Sequence, residues 1–476
     1  MLLVGRKNQL KSVDLILKSK KAEFVAVVGR RRVGKTYFIE AAFQKNICFR
    51  LTGIQDGTLA EQLTSFAIKM AEHMGNPFVP TPPENWQQSF YQLKAYLKSL
   101  DKKTKRVIFI DELPWIATPR SGFLKMLAHF WNDYLSKEKH FVLVICGSAT
   151  AWITNNVIND QGGLHNRISQ TIHLRPFDLA ETKDFLESKK IALPDQEITK
   201  LYMAMGGIPY YLENIRKGET AATTIERMCF HPEGILKREY NNLYRALFYN
   251  YRDHHKIIKA LAKSNKGLTR EALLKKSKVV DGGTFNRTME DLILSNFVAE
   301  YAPFDKVKRG SLYRLEDEYS IFYHRFIQPN MKYAKGMWLQ LSNGQSYKNW
   351  TGYAFESLCF KHIDEIKEAL GIAAVYTQVS SYQLVGNKKQ KGFQIDLVIK
   401  RNDNAIHLCE VKYYDGDFKV DGTYAKQLNE RKELFKAATE TKAALFTTLI
   451  VNNELVENEH AEQAVDSYVN LKEMLD

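Results

Sequence analysis

Gly29-Arg30-Arg31-Arg32-Val33-Gly34-Lys35-Thr36 has the form G-x-x-x-x-G-K-T and runs on into Tyr37 and a helical pattern. Glycines at such spacing let successive backbone N–H groups turn toward phosphate oxygens. Lys35 would reach the β- and γ-phosphates, and the Thr36 hydroxyl would ligate Mg²⁺. The run from Gly29 to Tyr37 is the expected phosphate-binding set. Val107-Ile108-Phe109-Ile110 is an apolar run that ends on Asp111 and Glu112. Asp111 would hold the Mg²⁺ shell, and Glu112 would polarise the attacking water. A glycine-rich turn and an ordinary acid-ended strand are the plain alternatives; finding both in one chain favours nucleotide chemistry. No N-K-x-D guanine reader follows, so ATP is favoured over GTP.

A second group lies near the C-terminus. Gly392–Ile399 reads as a strand with one acid, Asp396, and thirteen residues separate it from Glu410 in His407-Leu408-Cys409-Glu410-Val411-Lys412. Side chains alternate along a strand, so Glu410 and Lys412 share a face with Leu408 and Ile406 below them. A short turn around Asn402–Asn404 makes the two strands a hairpin and brings Asp396 beside Glu410. Charges inside apolar strands are costly unless they bind something. Two carboxylates suit Mg²⁺ or Mn²⁺, and the lysine could orient or activate a water for attack on a phosphodiester. The alternative is a Glu–Lys ion pair at a strand edge with a solvated Asp396.

These groups need rigid elements beneath them. Phe24–Val28, Ile47–Leu51, Val107–Ile110, Phe141–Cys146 and Thr171–Leu174 read as buried strands alternating with helices such as Thr36–Gln44 and Thr58–His73. That alternation predicts a parallel sheet with both faces covered. The four prolines between Asn76 and Pro83 predict a surface loop. Helical patterns at Asp178–Lys189, Asp195–Met205 and Pro209–Ile215 predict a lid. Helices at His255–Lys263, Thr269–Lys276 and Thr284–Ser295 precede a hairpin of Phe297–Tyr301 and Ser311–Leu315, with its turn near Lys308–Gly310. Three helices and a hairpin predict a winged helix-turn-helix. Asn286, Arg287 and Glu290 would stand on the outer face of its third helix, with Lys275, Lys276 and Lys278 before it and Lys306, Lys308 and Arg309 near the wing. The last segment predicts a helix at Tyr353–Leu370, strands at Ala374–Tyr382, Phe393–Arg401 and Ala405–Tyr413, a helix at Tyr424–Thr439 and a strand at Ala443–Val451. Lys388, Lys389 and Lys391 fall at a hairpin tip.

The chain has 476 residues, and about 150 residues per domain suggests three domains, at 1–235, 240–332 and 333–476. A hydrophobic content of 45% excludes disorder. No apolar run approaches the ~20 residues of a membrane span, so no membrane partner is expected. Five separated cysteines form no CxxC pair, so neither a zinc ribbon nor a disulfide framework is indicated, and a reducing cytoplasm fits. The net charge of +14 permits a polyanion without establishing one.

Residues 1–235 resemble the AAA+ and STAND-like group known as archaeal-type ATPases. The resemblance rests on the motifs above and on Leu2-Leu3-Val4-Gly5-Arg6, Cys146-Gly147-Ser148, Gly162-Gly163-Leu164-His165-Asn166-Arg167 and Gly206-Gly207-Ile208-Pro209. It implies that Gly5 and Arg6 lie beside the adenine, although Lys7 and Gln9 stand where the group has acids. It implies that Ser148 senses the γ-phosphate, the alternative being a helix cap. Arg167 would be an arginine finger acting in a homo-oligomer, or a plain surface arginine. Pro209 would mark the lid near the base, or only a helix-breaking turn. The D-x13-E-x-K spacing resembles the PD-(D/E)XK nuclease core, with Ile395 in place of that family's proline. This second resemblance adds Glu356 as a helical metal-binding acid and Gln427 as a downstream polar residue. The three-part order resembles archaeal-type ATPases that carry a winged helix and a C-terminal nuclease-like domain bearing a domain-of-unknown-function label.

The expected fold class is therefore α/β: a P-loop AAA+ parallel sheet with a helical lid, a winged helix, and a mixed α/β restriction-endonuclease-like domain. The expected function is binding of ATP/ADP and hydrolysis of ATP, coupled to a metal-dependent nuclease acting on DNA. The alternative is a STAND-type regulatory or scaffold ATPase whose nuclease fold only binds DNA or protein.

Overall fold

Five strands build the first sheet, the central three buried and the edge strands β2 and β5 only partly so: β1 (Glu23–Val28), β2 (Ile47–Thr52), β3 (Arg106–Asp111), β4 (Phe141–Cys146) and β5 (Gln170–His173). All pairings are parallel, in the order β2-β3-β4-β1-β5. The structure is a computed structural model that describes residues 3–78, 80–248, 251–304, 310–332, 334–384, 386 and 392–475. Leu2, the wing residues Lys306, Lys308 and Arg309, and the cluster Lys388, Lys389 and Lys391 lie outside the described residues. The hydrophobicity of β1 is continuous because both faces are covered. Phe24, Ala26 and Val28 pack with Phe49, Phe66 and Trp131, while Val25 and Val27 pack with Phe38, Ile39 and Phe43. The carboxyl ends of β1, β3 and β4 converge on one edge, the usual place for chemistry in an open α/β sheet. Thr58 and Glu61 form a reciprocal capping box that starts the helix Leu59–Met74.

The helix Ile235–Leu247 runs straight through the junction expected near residues 235–240. Leu236, Tyr240, Leu243, Tyr244 and Leu247 form its buried stripe, and Glu239 is buried among them. Helices Tyr251–Ala262, Arg270–Ser277 and Gly283–Leu294 follow, the second capped by Thr269. β6 (Val298–Tyr301) and β7 (Leu312–Leu315) then pair antiparallel. Asn286, Arg287 and Glu290 are exposed. The helix that bears them also packs against Thr150–Ile153, just beyond the end of β4.

The last sheet is mixed: β8 (Thr377–Leu384), β9 (Phe393–Arg401), β10 (Ala405–Lys412), β11 (Ala444–Val451) and β12 (Ser467–Asn470), in the order β12-β11-β10-β9-β8. β8, β9 and β10 are antiparallel, while β10, β11 and β12 are parallel. The helix Gly422–Thr439 crosses from β10 to β11. Trp338 stacks on Phe230 at 5.5 Å and meets Phe322 edge-on at 5.1 Å, so one apolar core runs from the first sheet's helices into the last segment.

The helix expected over Tyr353–Leu370 is two helices, Gln345–Lys361 and Ile363–Ala369. His362 breaks it and uses its ring to reach the lid. Nδ1 donates to the Leu358 carbonyl at 2.9 Å, and Nε2 accepts from the Leu179 amide at 3.0 Å. Both bonds require neutral imidazole, and burial pushes its pKa down to about 4. A histidine depressed in the folded state stabilises fully above its ordinary value and loses that stabilisation as the pH falls from about 6.5 toward 4. The wild type should lose on the order of 2 kcal/mol through this group over that window. Unfolding of His362→Gln followed against pH should show a flatter slope there.

Candidate nucleotide site and carboxylate cluster

The loop after β1 opens the helix Lys35–Phe43. Lys35 is buried, and its Nζ donates to the carbonyls of Gly29 at 2.7 Å and Arg30 at 3.0 Å. Burial pulls its pKa below the ordinary value, against Cys146, Glu112 and Asp111. A bound phosphate would take the ammonium over from these carbonyls. Thr36 Oγ1 donates to Asp111 Oδ2 at 3.1 Å. Cys146 Sγ and the Glu112 amide both donate to Asp111 Oδ1 at 2.9 Å. Thr36 and Asp111 thus present adjacent hard oxygens, the donor set that suits Mg²⁺. A Mg²⁺ held there would neutralise charge on the β- and γ-phosphates. Arg50, from β2, lies 3.4 Å from Asp111 Oδ2 and pairs with Glu40.

Arg30 and Arg32 belong to the run expected to cradle phosphate with its backbone N–H groups, and their side chains pair with acids outside the loop. Arg30 is only 2% exposed; its Nη2 is 2.5 Å from Asp317 Oδ1, and its guanidinium lies 4.6 Å from the Phe297 ring centre. Arg32 pairs with Glu239 at 2.7 Å and 2.8 Å and covers the Tyr210 ring at 3.9 Å. The cause is charge balance: the buried acids Glu239 and Asp317 face the loop and need cations. Arg31 and Val33 complete the loop, and Tyr37 stands exposed one residue beyond Thr36.

Arg6 is buried beneath the same loop. Its Nη1 donates to the Arg175 carbonyl at 2.6 Å and its Nη2 to the Val33 carbonyl at 3.3 Å, with Phe177 under the guanidinium. Gly5 (φ 64°) leaves no room for a side chain, because Glu181 fills that space while accepting from the Arg6 amide at 2.6 Å. Glu112 also has a positive φ, 46°, and its Oε2 accepts from Ser148 N at 2.9 Å and Ser148 Oγ at 3.0 Å. Ser148 therefore fastens Glu112 and is not a helix cap; the next helix starts after Ala149. Arg167 is exposed on the loop before β5. Pro209 opens the short helix Pro209–Leu212, so the helix expected to Ile215 ends early. The preceding glycines are required by packing: a Cβ on Gly207 would sit 1.9 Å from the Phe177 carbonyl oxygen. Gly207→Ala should cost roughly 1–3 kcal/mol, read as a lower urea midpoint at unchanged m-value.

In the last sheet the β9–β10 ladder ends at Leu397 opposite Cys409. Beyond it the strands part, and the Asp396 carboxylate accepts from the Val411 amide at 3.2 Å. On the other side of β9, Ser380 faces Val398 but Tyr382 faces Ile395, an extra residue that re-aims the strand at Asp396. Glu410 Oε2 lies 2.5 Å from Arg431 and 3.6 Å from Lys412. Lys412 also lies 5.2 Å from the Tyr424 ring centre. Burial, then Asp396, raises the pKa of Glu410. The same two causes push Glu356, on the helix Gln345–Lys361, up to about 7. Among the described residues Glu356 Oε2 is buried without a hydrogen-bond partner. Lys412 stays above its ordinary value despite burial, through Tyr424, Glu410 and Asp396, so it is held as an ammonium. Gln427 is exposed on the crossing helix; Arg431, one turn further on, is the residue that reaches the acids.

Among the described residues no three His, Cys, Asp or Glu side chains converge closely enough to form a metal cage. Among the described residues the set expected from Glu356, Asp396 and Glu410 is thus not preformed, and Arg431 occupies an oxygen of Glu410. The donor chemistry still suits a hard cation: Asp396 acts on both Glu356 and Glu410, and Glu356 Oε2 is buried.

The parallel sheet, the phosphate loop with its buried lysine, and the acid pair at the end of β3 define a P-loop ATPase. Residues 3–215 match an ATPase domain predominantly from Archaea, and residues 323–429 match archaeal and bacterial proteins of unknown function. An uncharacterized protein of Methanocaldococcus jannaschii is 23% identical over 421 residues, covering 87% of this chain and 88% of its own. The Walker-type ATPase of Pyrococcus abyssi is similar at 18% identity, over 68% of this chain and 96% of its own, with a TM-score of 0.49. The ORC2 protein of Aeropyrum pernix in ADPNP–ADP complexes is similar at 12% identity, over 72% and 96%, with a TM-score of 0.42. Among the described residues no helix is long and apolar enough to cross a membrane.

Proposed function

We propose that the protein uses its ATPase cycle to control a metal-dependent, nuclease-like site acting on DNA. The three domains would be an ATPase with lid at 1–235, a winged helix at 240–332 and a PD-(D/E)XK-like domain at 333–476. The observation that carries the nuclease half is the fork between β9 and β10. It has Asp396, Glu410 and Lys412 near Glu356 from a separate helix, with Glu356 and Glu410 raised by burial and by the charge of Asp396. A divalent cation held by these acids would supply Lewis-acid chemistry on a phosphodiester. Lys412, kept charged, would orient the attacking water or steady the developing anion. In the ATPase half Thr36 and Asp111 would hold Mg²⁺, Glu112 would polarise water, and the exposed Arg167 would serve a second copy as a finger. Five free, buried cysteines suit a reducing cytoplasm.

Coupling is supported by one turn. Asp317 takes Arg30 of the phosphate loop, while Glu318 and the Glu316 carbonyl take Lys361, on the helix that carries Glu356. A second reading also has an observation behind it. Arg431 on Glu410, with no preformed cage among the described residues, favours a STAND-type scaffold in which this fold only binds DNA or protein. Incubation of plasmid and single-stranded DNA with Mg²⁺ or Mn²⁺, with and without ATP, separates the two. Metal-dependent cleavage that Asp396→Asn lacks is expected; no cleavage of either DNA under any condition leaves the scaffold reading.

A further inference from the structure

A phosphate loop flanked by glycines is floppy unless something holds it. In this chain the holders come from far along the sequence. Asp317 uses one carboxylate oxygen to take Arg30 and the other to cap the turn it begins, accepting from the Ser320 amide at 3.0 Å. Glu239 takes Arg32 with both oxygens and also accepts from the Tyr211 hydroxyl at 3.4 Å. Arg32 has a φ of 71°, a region that a side chain of this size occupies only when surroundings fix it. Glu239 on one side and Tyr210 on the other fix it. Arg30 is buried against Phe297 and cannot turn outward without leaving Asp317 bare. Burying an arginine–aspartate pair seldom gains stability over apolar residues, and its best-attested use is to select one conformation.

We propose that Asp317 and Glu239 are positioning residues of the ATPase: by pairing with Arg30 and Arg32 they hold the phosphate loop in its nucleotide-accepting shape. The nucleotide site is then incomplete without residues 239–317, and a loop shaped beforehand binds phosphate without spending binding energy on order. The inference rests on the ATPase alone and does not need the C-terminal site to cut anything.

Steady-state ATP turnover by the full-length protein tests it. Asp317→Asn keeps the shape and removes the charge; it should raise KM about tenfold with kcat within about twofold. Glu239→Gln should act in the same direction, and Asp317→Glu should restore most of the affinity. A loss of folded protein alone would lower kcat and leave KM unmoved. The direction of the KM shift is decisive. If Arg30 and Arg32 were phosphate ligands held in reserve, freeing them would lower KM, and that result overturns the proposal. Should Asp317→Asn not fold, the double variant Arg30→Met/Asp317→Leu removes the pair without stranding a charge. A tenfold higher KM there supports the proposal; a wild-type KM overturns it.

Discussion

Glu112→Gln is expected to lower ATP turnover by about 10²- to 10⁴-fold while leaving nucleotide affinity within a few-fold of wild type. Glutamine matches glutamate in size, and its amide oxygen can still accept from Ser148 N and Oγ, which hold Oε2 at 2.9 and 3.0 Å. The positive φ of residue 112 and the strand end are therefore kept. What disappears is the carboxylate that draws a proton from water. Lys35→Ala should differ in losing affinity as well. The buried ammonium that spans the Gly29 and Arg30 carbonyls is lost, and affinity falls with turnover. Phosphate release at saturating ATP, alongside titration with a fluorescent ATP analogue, resolves the two patterns. Unchanged turnover in Glu112→Gln would remove this residue from the chemistry.

The central strands β1, β3 and β4 of the first sheet were legible because both of its faces are covered there, which writes each of them as a nearly unbroken apolar run. The phosphate loop was legible because its chemistry fixes glycine and lysine at set spacing. What lies between distant segments was not. Arg30 and Asp317 are 287 residues apart, and nothing local to either marks the other. Glu239 left a faint signal: it interrupts the apolar stripe of Leu236, Tyr240, Leu243 and Tyr244, so a buried acid needing a cation could have been suspected. In the last sheet the alternation of β10 placed Glu410 with Lys412. Arg431 was missed because its helix has no strong apolar stripe, and Gln427, one turn earlier, is equally compatible with the pattern. The break at His362 was hidden because helical spacing continues across it; only the contact with the Leu179 amide explains it.

Asp396→Asn is expected to abolish metal-dependent cleavage, by on the order of 10³-fold or more, and at the same time to stabilise the metal-free protein. The two effects have opposite signs for one reason. Asp396 raises the pKa of both Glu356 and Glu410, so the cluster stores repulsion that a cation would relieve. Asparagine still offers an oxygen to the Val411 amide at the fork but adds no charge. Without metal, Tm should rise by a few degrees in the chelator-treated variant. With metal, the wild type should gain stability by mass action, and the variant should gain little. A scaffold domain predicts the first half only: repulsion would still fall with Asp396→Asn, but added Mn²⁺ would shift neither protein and neither would cut. A metal-induced shift in the wild type without cleavage would place the cation at these acids while assigning the block to Arg431 on Glu410. Arg431→Met, which clears that oxygen while keeping an apolar stem on the crossing helix, should then raise Mn²⁺ affinity and unmask cleavage.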